Sequence, residues 1–283
     1  MGRPVATIDF NVDDNASSVK LFLARILSAS NHAENRAFAI DLSKCKYLGP
    51  DAAAILAATL FEARNQNRRI RVTWPSGPKE LTKFCDLCGL TEAIKNTPYI
   101  NKPYDRSQNV LRMRAYHSHS IRDADPVIEL VSAHFQSISN DNEDQLRICV
   151  NEVVQNMEDH AKSPIGVVMC ARFLRRKKQV RVALVDRRLG IHQTLSKRYH
   201  DIKDASAALH LVLTGKYSAQ SRKNNAGLGI NLLKSIVETL GGHLYIITET
   251  SMATVGKTKT QVEDLPFRFN GTGVFFSLPV DHD

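Results

Sequence analysis

Glu152, Asn156 and His160 follow one another at steps of four residues, in a segment whose apolar residues have helical spacing. Residues four apart share one face of an α-helix, so a carboxylate, an amide and an imidazole would lie along one stripe. An amide oxygen suits Mg²⁺, and a carboxylate one turn earlier can activate a water or hydroxyl that attacks a phosphate. His160 could reach a phosphate or cap the helix end. A solvent-exposed polar stripe is the alternative, and these three residues alone do not decide.

A second motif is a carboxylate that directly follows an apolar, β-branched segment, in VALVDRRLG. Asp186 could there accept a hydrogen bond from an exocyclic amine such as that of adenine. Gly190 would let the backbone pass close under a base or sugar. The alternative is an ordinary strand-to-helix turn with Asp186 as the cap.

Two glycine motifs follow. Gly227-Leu228-Gly229 precedes an amphipathic helix, where backbone amides and the helix dipole can face a phosphate. Gly271-Thr272-Gly273 leads into the last apolar strand and places a hydroxyl near its start. Each motif alone is a weak signal.

In this order, the four motifs resemble the GHKL ATPases, which include histidine-kinase catalytic domains, type II topoisomerases and anti-sigma-factor serine kinases. The resemblance covers about residues 110–283 and is greatest to the anti-sigma-factor kinases. It implies ATP and Mg²⁺ as cofactors. The roles it implies are Glu152 as general base, Asn156 as Mg²⁺ ligand, Asp186 and Thr272 at adenine, Gly190 near the base, and Gly227, Leu228, Gly229 and His160 as further nucleotide contacts.

The chain departs from the family pattern at two positions. Arg188 stands where the first turn usually has glycine, and its side chain could crowd the pocket or swing over the nucleotide. Asn225 replaces the first glycine of the second motif, a milder change because Asn tolerates left-handed backbone geometry. The resemblance also implies that residues 191–225 form a flexible lid.

The first hundred residues alternate strand-like and helix-like patterns, which predicts helices packed on a sheet. FAIDLSKCKYLGPDAAAILAATLFEAR resembles the centre of a STAS domain, the fold of anti-sigma-factor antagonists. Where that family carries a phosphorylatable serine, this chain has Asp51. That carboxylate could favour the helix N-terminus through the helix dipole, or imitate a phosphorylated state.

Composition restricts the class of protein. The 283 residues are 43% hydrophobic and 24% charged, as in globular proteins. No apolar run approaches the ~20 residues of a membrane span, and no secretory signal is visible, so a cytoplasmic protein without a membrane role is expected. An odd number of cysteines, five, fits free thiols. The net charge of +9 includes Arg175-Arg176-Lys177-Lys178, which reads as an exposed turn and supports a nucleic-acid partner only weakly.

These patterns predict an α/β (α+β) protein. A STAS-like β/α domain (1–100) and a linker (101–110) would precede a GHKL Bergerat-type α/β sandwich (111–283) with helices on one face of a mixed sheet. The expected function is an ATP-binding partner switch that slowly hydrolyses Mg-ATP or phosphorylates a protein Ser/Thr. Its expected partner is a sigma-factor-like or STAS-type protein, and a homodimer is left open. A nucleotide-gated interaction module without catalysis is the alternative.

Overall fold

The computed structural model describes residues 5–13, 15–31, 37–95, 109–116, 124–135, 139–215, 228–256 and 259–280. Within these ranges the chain combines helices with a parallel three-stranded sheet and an antiparallel five-stranded sheet. The expected mixture of helices and strands is therefore confirmed. No helix in the described ranges combines the length and the apolar composition that a membrane crossing requires.

The first half builds the parallel sheet, in the order β1-β2-β3. Its elements are β1 (Val5–Thr7), α1 (Ala16–Asn31), β2 (Ala37–Asp41), α2 (Pro50–Asn65), β3 (Arg69–Thr73), α3 (Lys79–Leu87) and α4 (Leu90–Lys95). The alternation of strands and helices was predicted, whereas α4 was not. Pro50 occupies the first turn of α2, where its missing N–H costs no hydrogen bond.

The second half builds the antiparallel sheet, in the order β4-β5-β6-β8-β7. Its elements are β4 (Val110–Tyr116), α5 (Asp125–Ser132), α6 (Asn140–Ala161), β5 (Val167–Leu174), β6 (Gln179–Val185), α7 (Ile191–Leu195), α8 (Ala205–Thr214), α9 (Leu228–Thr239), β7 (His243–Val255) and β8 (Thr260–Pro279). The basic run forms an exposed turn between β5 and β6, as predicted. The helix α6 begins where the Ser139 hydroxyl accepts a hydrogen bond from the Asn142 N–H.

The expectation of a mixed sheet is wrong for the described strands of the second half, because every pair there is antiparallel. The strands β6 and β7 run in the same direction, but β8 returns between them and bonds to both. A parallel pair therefore never forms.

Both faces of the five-stranded sheet are buried, and the residues of β6 alternate between them. Val180, Val182 and Leu184 pack in a core with α5, α6, α8 and α9. Ala183 and Val185 point to the other face, where the core is shared with the first half. The helix α2 covers that face, chiefly over β5 and β6. The two halves are thus joined by a continuous apolar core, while the assignment of two domains remains a prediction, since residues 96–108 of the expected linker region lie outside the described ranges.

All five cysteines are free, as predicted, and all are buried. Burial raises the pKa of the Cys85 and Cys149 thiols, which makes them poor nucleophiles. Within the described residues, no group of three or more His, Cys, Asp or Glu side chains forms a metal site.

Candidate functional site

A cleft that is partly open to solvent lies where α6, α7, the end of β6 and the middle of β8 meet. Four predicted site residues line it: Asn156, Asp186, Gly190 and Thr272. The rest of the lining is mainly apolar and comprises Val153, Met157, Ala161, Leu189, Ile191, Thr194, Leu195, Val212, Ile230 and Val274. A mostly apolar cleft with a few convergent polar groups is the usual form of a small-molecule site.

Asp186 provides a buried carboxylate at the edge of this cleft. Only 1% of the residue is exposed. Its backbone N–H donates to the Thr272 carbonyl at 2.9 Å, and its Oδ1 accepts the Thr272 N–H at 2.8 Å. Burial raises the pKa of Asp186 well above its usual range, while the Thr272 N–H and the charge of Arg187 lower it. The two hydrogen bonds to Thr272 therefore fix one oxygen of the Asp186 carboxylate and the orientation of that carboxylate.

Gly190 is required by a close approach of Glu249. A Cβ on Gly190 would lie 2.3 Å from Cγ of Glu249, which is inside the van der Waals limit. The Glu249 side chain is 3% exposed, accepts the Gln193 N–H at 3.2 Å and pairs with Arg268 at 2.9 Å. Gly190 therefore also has a structural role, in addition to its predicted role beside a base. Its missing side chain leaves room for Glu249, which accepts a hydrogen bond at the start of α7.

Thr248 also holds the start of α7. Its hydroxyl accepts the Ile191 N–H at 3.0 Å and donates to the Gly271 carbonyl at 3.2 Å. Thr248 and Glu249 sit where the register of β7 and β8 shifts, and Glu249 has φ of 48°. Neither residue was predicted as part of the site, because the strand predicted from His243 to Thr248 contains no sign of the irregularity.

The predicted stripe on α6 is only partly placed in the cleft. Asn156 lines the cleft with Val153 and Met157 from the same helix. Glu152 lies one turn earlier, against the start of α9: a Cβ on Gly229 would come within 2.9 Å of the Glu152 Cβ. The Glu152 Oε2 atom is buried without a hydrogen-bond partner in the described residues, and burial raises the pKa of this carboxyl.

Other predicted site residues lie partly outside the described structure. The backbone of His160 belongs to α6 and that of Leu228 to α9, but their side chains are outside the described atoms. Gly227 lies outside the described residues, as does Asn225. Of the flexible lid expected over residues 191–225, the part that forms α8 is wrong, whereas α7 lines the cleft and residues 216–225 lie outside the described residues. Both α7 and α8 form there, and Leu209 and Leu213 of α8 are buried in the core because α8 packs on β7.

Arg188 keeps the backbone geometry of a glycine without filling the cleft. Its φ is 126°, a region that side chains rarely adopt. The residue is exposed, and its Nη1 donates to the Lys162 carbonyl at 3.2 Å, beyond the end of α6. The side chain therefore does not crowd the cleft, and the alternative that it swings over a bound nucleotide stays a prediction.

Asp51 lies on the opposite face of the sheet from the cleft. It is fully buried and does not cap its helix; Gly49 is the N-cap residue. Arg181 donates to both carboxylate oxygens, from Nε at 3.1 and 3.0 Å and from Nη2 at 2.6 Å, and the Tyr245 hydroxyl donates to Oδ2. The sheet therefore separates this carboxylate from Asn156 and Asp186.

A second ion pair on the same face was also missed by the sequence reasoning. Arg187 donates from Nε to Glu62 Oε2 at 2.6 Å, and its guanidinium carbon lies 4.6 Å from the centre of the Phe269 ring. Alternation along VRVALVDR could have indicated it, because the arginines Arg181 and Arg187 fall on the same face of the strand. Their partners on α2, Asp51 and Glu62, are more than 100 residues away in the sequence, so no local pattern pairs them with the arginines.

The polar and apolar groups of the cleft are of the types that an adenine nucleotide would need. The Asp186 carboxylate can accept an exocyclic amine, and the apolar walls can cover the faces of a purine ring. An amide oxygen at Asn156 suits Mg²⁺, which takes most of its other ligands from phosphates and water. The unpartnered Oε2 of Glu152 lies at the start of α9, where phosphates would approach the helix N-terminus.

In comparisons with known proteins, neither a family model nor a curated protein matches this chain.

Proposed function

We propose that the protein binds Mg-ATP in the cleft between α6, α7, the end of β6 and the middle of β8, as a GHKL-type regulatory ATPase or protein Ser/Thr kinase. The observation that carries the proposal is the convergence of Asn156, Asp186, Gly190 and Thr272 on one cleft. These residues come from separate segments of the chain, so their convergence on one cleft supports a shared role more strongly than any single motif does.

Within this proposal, each side chain has one task. The Asp186 carboxylate accepts a hydrogen bond from the adenine amine, and the Thr272 N–H keeps the carboxylate oriented. Asn156 would hold Mg²⁺, which would neutralise phosphate charge. Glu152 takes the proton from the attacking water or hydroxyl, a task that suits a carboxyl whose pKa is raised by burial.

Binding is tested by isothermal titration of the full chain with ATP and Mg²⁺. We expect wild type to bind, and Asn156→Ala to weaken binding in the presence of Mg²⁺. Gln155→Ala is the matched control, because Gln155 is the neighbouring residue of α6 and is exposed. Absence of binding by wild type, or equal affinity of the Asn156 and Gln155 variants, would overturn the proposal.

Catalysis is tested separately by following phosphate release from ATP. Glu152→Gln keeps the shape of the side chain and removes its basicity, so we expect normal binding and a loss of turnover of about 10²-fold or more. If wild type binds ATP but releases no phosphate and transfers none to a protein, the non-catalytic interaction module is the better description.

The position of the first half limits which protein could receive the phosphate. The Asp51 segment, where the related fold has its acceptor serine, faces away from the cleft and is closed by Arg181 and Tyr245. The proposed acceptor is therefore a separate protein of the sigma-factor-like or STAS type. Pull-down with and without ATP, followed by a phosphate-transfer assay on the captured proteins, tests this; transfer to the first half of the same chain would contradict it.

A further inference from the structure

We infer that Arg187 is a positioning residue for the proposed purine site, and that its positive charge keeps the Asp186 carboxylate ready to accept a hydrogen bond. The inference rests on the proposed function, because it concerns how the adenine-recognising group is maintained. It adds a residue outside the cleft, on the face of the sheet that the first half covers.

The alternation of the strand places the two neighbours on opposite faces. Even-numbered residues of β6 lead to Asp186 in the cleft, and odd-numbered residues lead to Arg187 on the side of α2. Arg187 is 5% exposed and is held between Glu62 of α2 and the ring of Phe269. Its backbone N–H also faces the Ser163 hydroxyl at 3.4 Å.

The backbone at this point has little room to move. A Cβ on Gly271 would lie 2.4 Å from the Asp186 carbonyl oxygen and 2.8 Å from the Arg187 Cα. The strand β8 therefore packs directly on both residues, and Thr272 bonds to Asp186 twice. A displacement of the Arg187 backbone would therefore also displace Asp186.

The charge of Arg187 acts in addition to its position. A carboxylate buried as deeply as Asp186 is driven towards its neutral form, in which it is a donor as well as an acceptor. The neighbouring guanidinium opposes this and lowers the Asp186 pKa. Other charged or titratable side chains on the surrounding elements are Glu152 and Lys162 at α6, Arg188 and His192 around the start of α7, Glu249 on β7 and Arg268 on β8.

The pair with Glu62 is incompletely satisfied. The Nη1 atom of Arg187 is buried without a hydrogen-bond partner in the described residues. A buried guanidinium with an unmet donor is costly, so a purely structural residue at this place would be better replaced by an apolar one. Retention of the charge is explained if it serves the carboxylate on the other face.

The test is the affinity for Mg-ATP as a function of pH, measured on full-length variants. Binding requires ionised Asp186 and is lost as the pH falls through its pKa. We call the low-pH part of the affinity curve, where binding is lost, the acid limb. Arg187→Met removes the charge and should move the acid limb up by about one pH unit, so that at a given pH within it the variant binds about tenfold more weakly than wild type. Titration of the ATP phosphates is common to all variants and cancels in the comparison.

Two further variants separate the charge from the packing. Arg187→Lys keeps the charge and should leave the acid limb near that of wild type. Glu62→Gln breaks the same ion pair but leaves the arginine charge, so its limb should not move upwards. Urea unfolding of each variant shows that the titrations are made on folded protein. If Arg187→Met does not fold, Glu62→Gln/Arg187→Gln replaces it, and its acid limb should lie above that of Glu62→Gln, from which it differs only by the arginine charge.

The outcomes are distinguishable from failure of the proposed function. If wild type binds no adenine nucleotide, the proposed site is wrong. If wild type binds, and Asp186→Asn abolishes binding, but Arg187→Met leaves the acid limb in place, the inference about Arg187 alone is wrong. An upward shift in Glu62→Gln as large as that in Arg187→Met would likewise overturn it, because the effect would then come from the broken interface.

Discussion

Asp51 and Arg181 form a buried two-pronged ion pair that joins α2 of the first half to β6 of the second. Their side chains are 1% and 3% exposed, and Tyr245 adds a third donor to the carboxylate. The guanidinium carbon also lies 4.9 Å from the centre of the Tyr245 ring. Because the pair sits between the two halves, it ties the orientation of α2 to that of the sheet.

Breaking this pair should destabilise the whole chain. Asp51→Asn removes the negative charge and leaves Arg181 buried without compensation, which typically costs about 3–5 kcal/mol. Equilibrium unfolding in urea measures the loss. The matched control is Glu263→Gln in the more exposed pair with Lys20, where we expect less than about 1 kcal/mol. Equal losses in the two variants would show that the Asp51 pair is not a buried anchor.

Replacing Arg188 with glycine should stabilise the protein and leave nucleotide binding unchanged. A φ of 126° strains any residue with a Cβ, at a cost of about 1–3 kcal/mol, part of which is offset by the entropy of glycine in the unfolded chain. We therefore expect a gain of about 1 kcal/mol in urea unfolding for Arg188→Gly. Arg188→Ala removes the same side chain but keeps the strain, so it should show no such gain.

The affinity for Mg-ATP of the two Arg188 variants checks the direction of the side chain. Both should bind as wild type does, because Arg188 points to Lys162 and away from the cleft. A tighter-binding Arg188→Gly variant would mean that the arginine does obstruct the nucleotide.

Gly190→Ala should lower both stability and nucleotide affinity. The new Cβ would meet Glu249 at 2.3 Å, and moving that buried side chain would release the Gln193 N–H at the start of α7. Overpacking of this kind costs about 1–3 kcal/mol. Gly256→Ala is the control, since its Cβ would have only the Lys259 carbonyl nearby, at 3.6 Å. Thermal unfolding and titration with Mg-ATP measure the two effects, and equal behaviour of the variants would exclude the proposed contact.

The helices and strands were predicted well from the sequence where the apolar residues follow a single spacing, either helical or alternating. The helices α1, α2, α3 and α6 and the hairpin β5–β6 follow directly from their apolar spacing. The long hairpin of β7 and β8 was predicted only in part, because its outer half, from Ser251 to Leu265, carries polar residues between its buried ones. Those buried residues gain their partners from α1 and α8, which no local pattern specifies.

The cleft itself was predictable from residue types and order, whereas its supports were not. Asn156, Asp186, Gly190 and Thr272 carry chemistry at recognisable spacings, and they converge. Arg187 and Glu249 act through partners more than 50 residues away, Glu62 in one case and Gly190 in the other. Asp51 was interpreted as a residue that favours its own helix end because its partner, Arg181, is equally remote in sequence.

Burial of the Asp186 carboxylate should make the stability of the protein depend on pH. The folded-state pKa of this carboxyl is raised above the usual value of 3.8, so the folded protein binds this proton more tightly than the unfolded chain does. Linkage then requires this contribution to stability to be fully present below the unfolded pKa and to be lost as pH rises towards the folded pKa.

Asp186→Asn imitates the protonated group and can keep the hydrogen bond from the Thr272 N–H. The variant should therefore match wild type at low pH and become the more stable of the two as the pH rises above the usual aspartate pKa. Urea unfolding of both proteins between about pH 4 and pH 8 measures the difference. At neutral pH the variant should also lose nucleotide binding, because an amide that keeps this orientation offers the adenine amine a donor where an acceptor is needed. A variant that is less stable than wild type at every pH would show that the folded state favours the ionised carboxylate. It would contradict the expectation that ionised Asp186 lowers the free energy of unfolding.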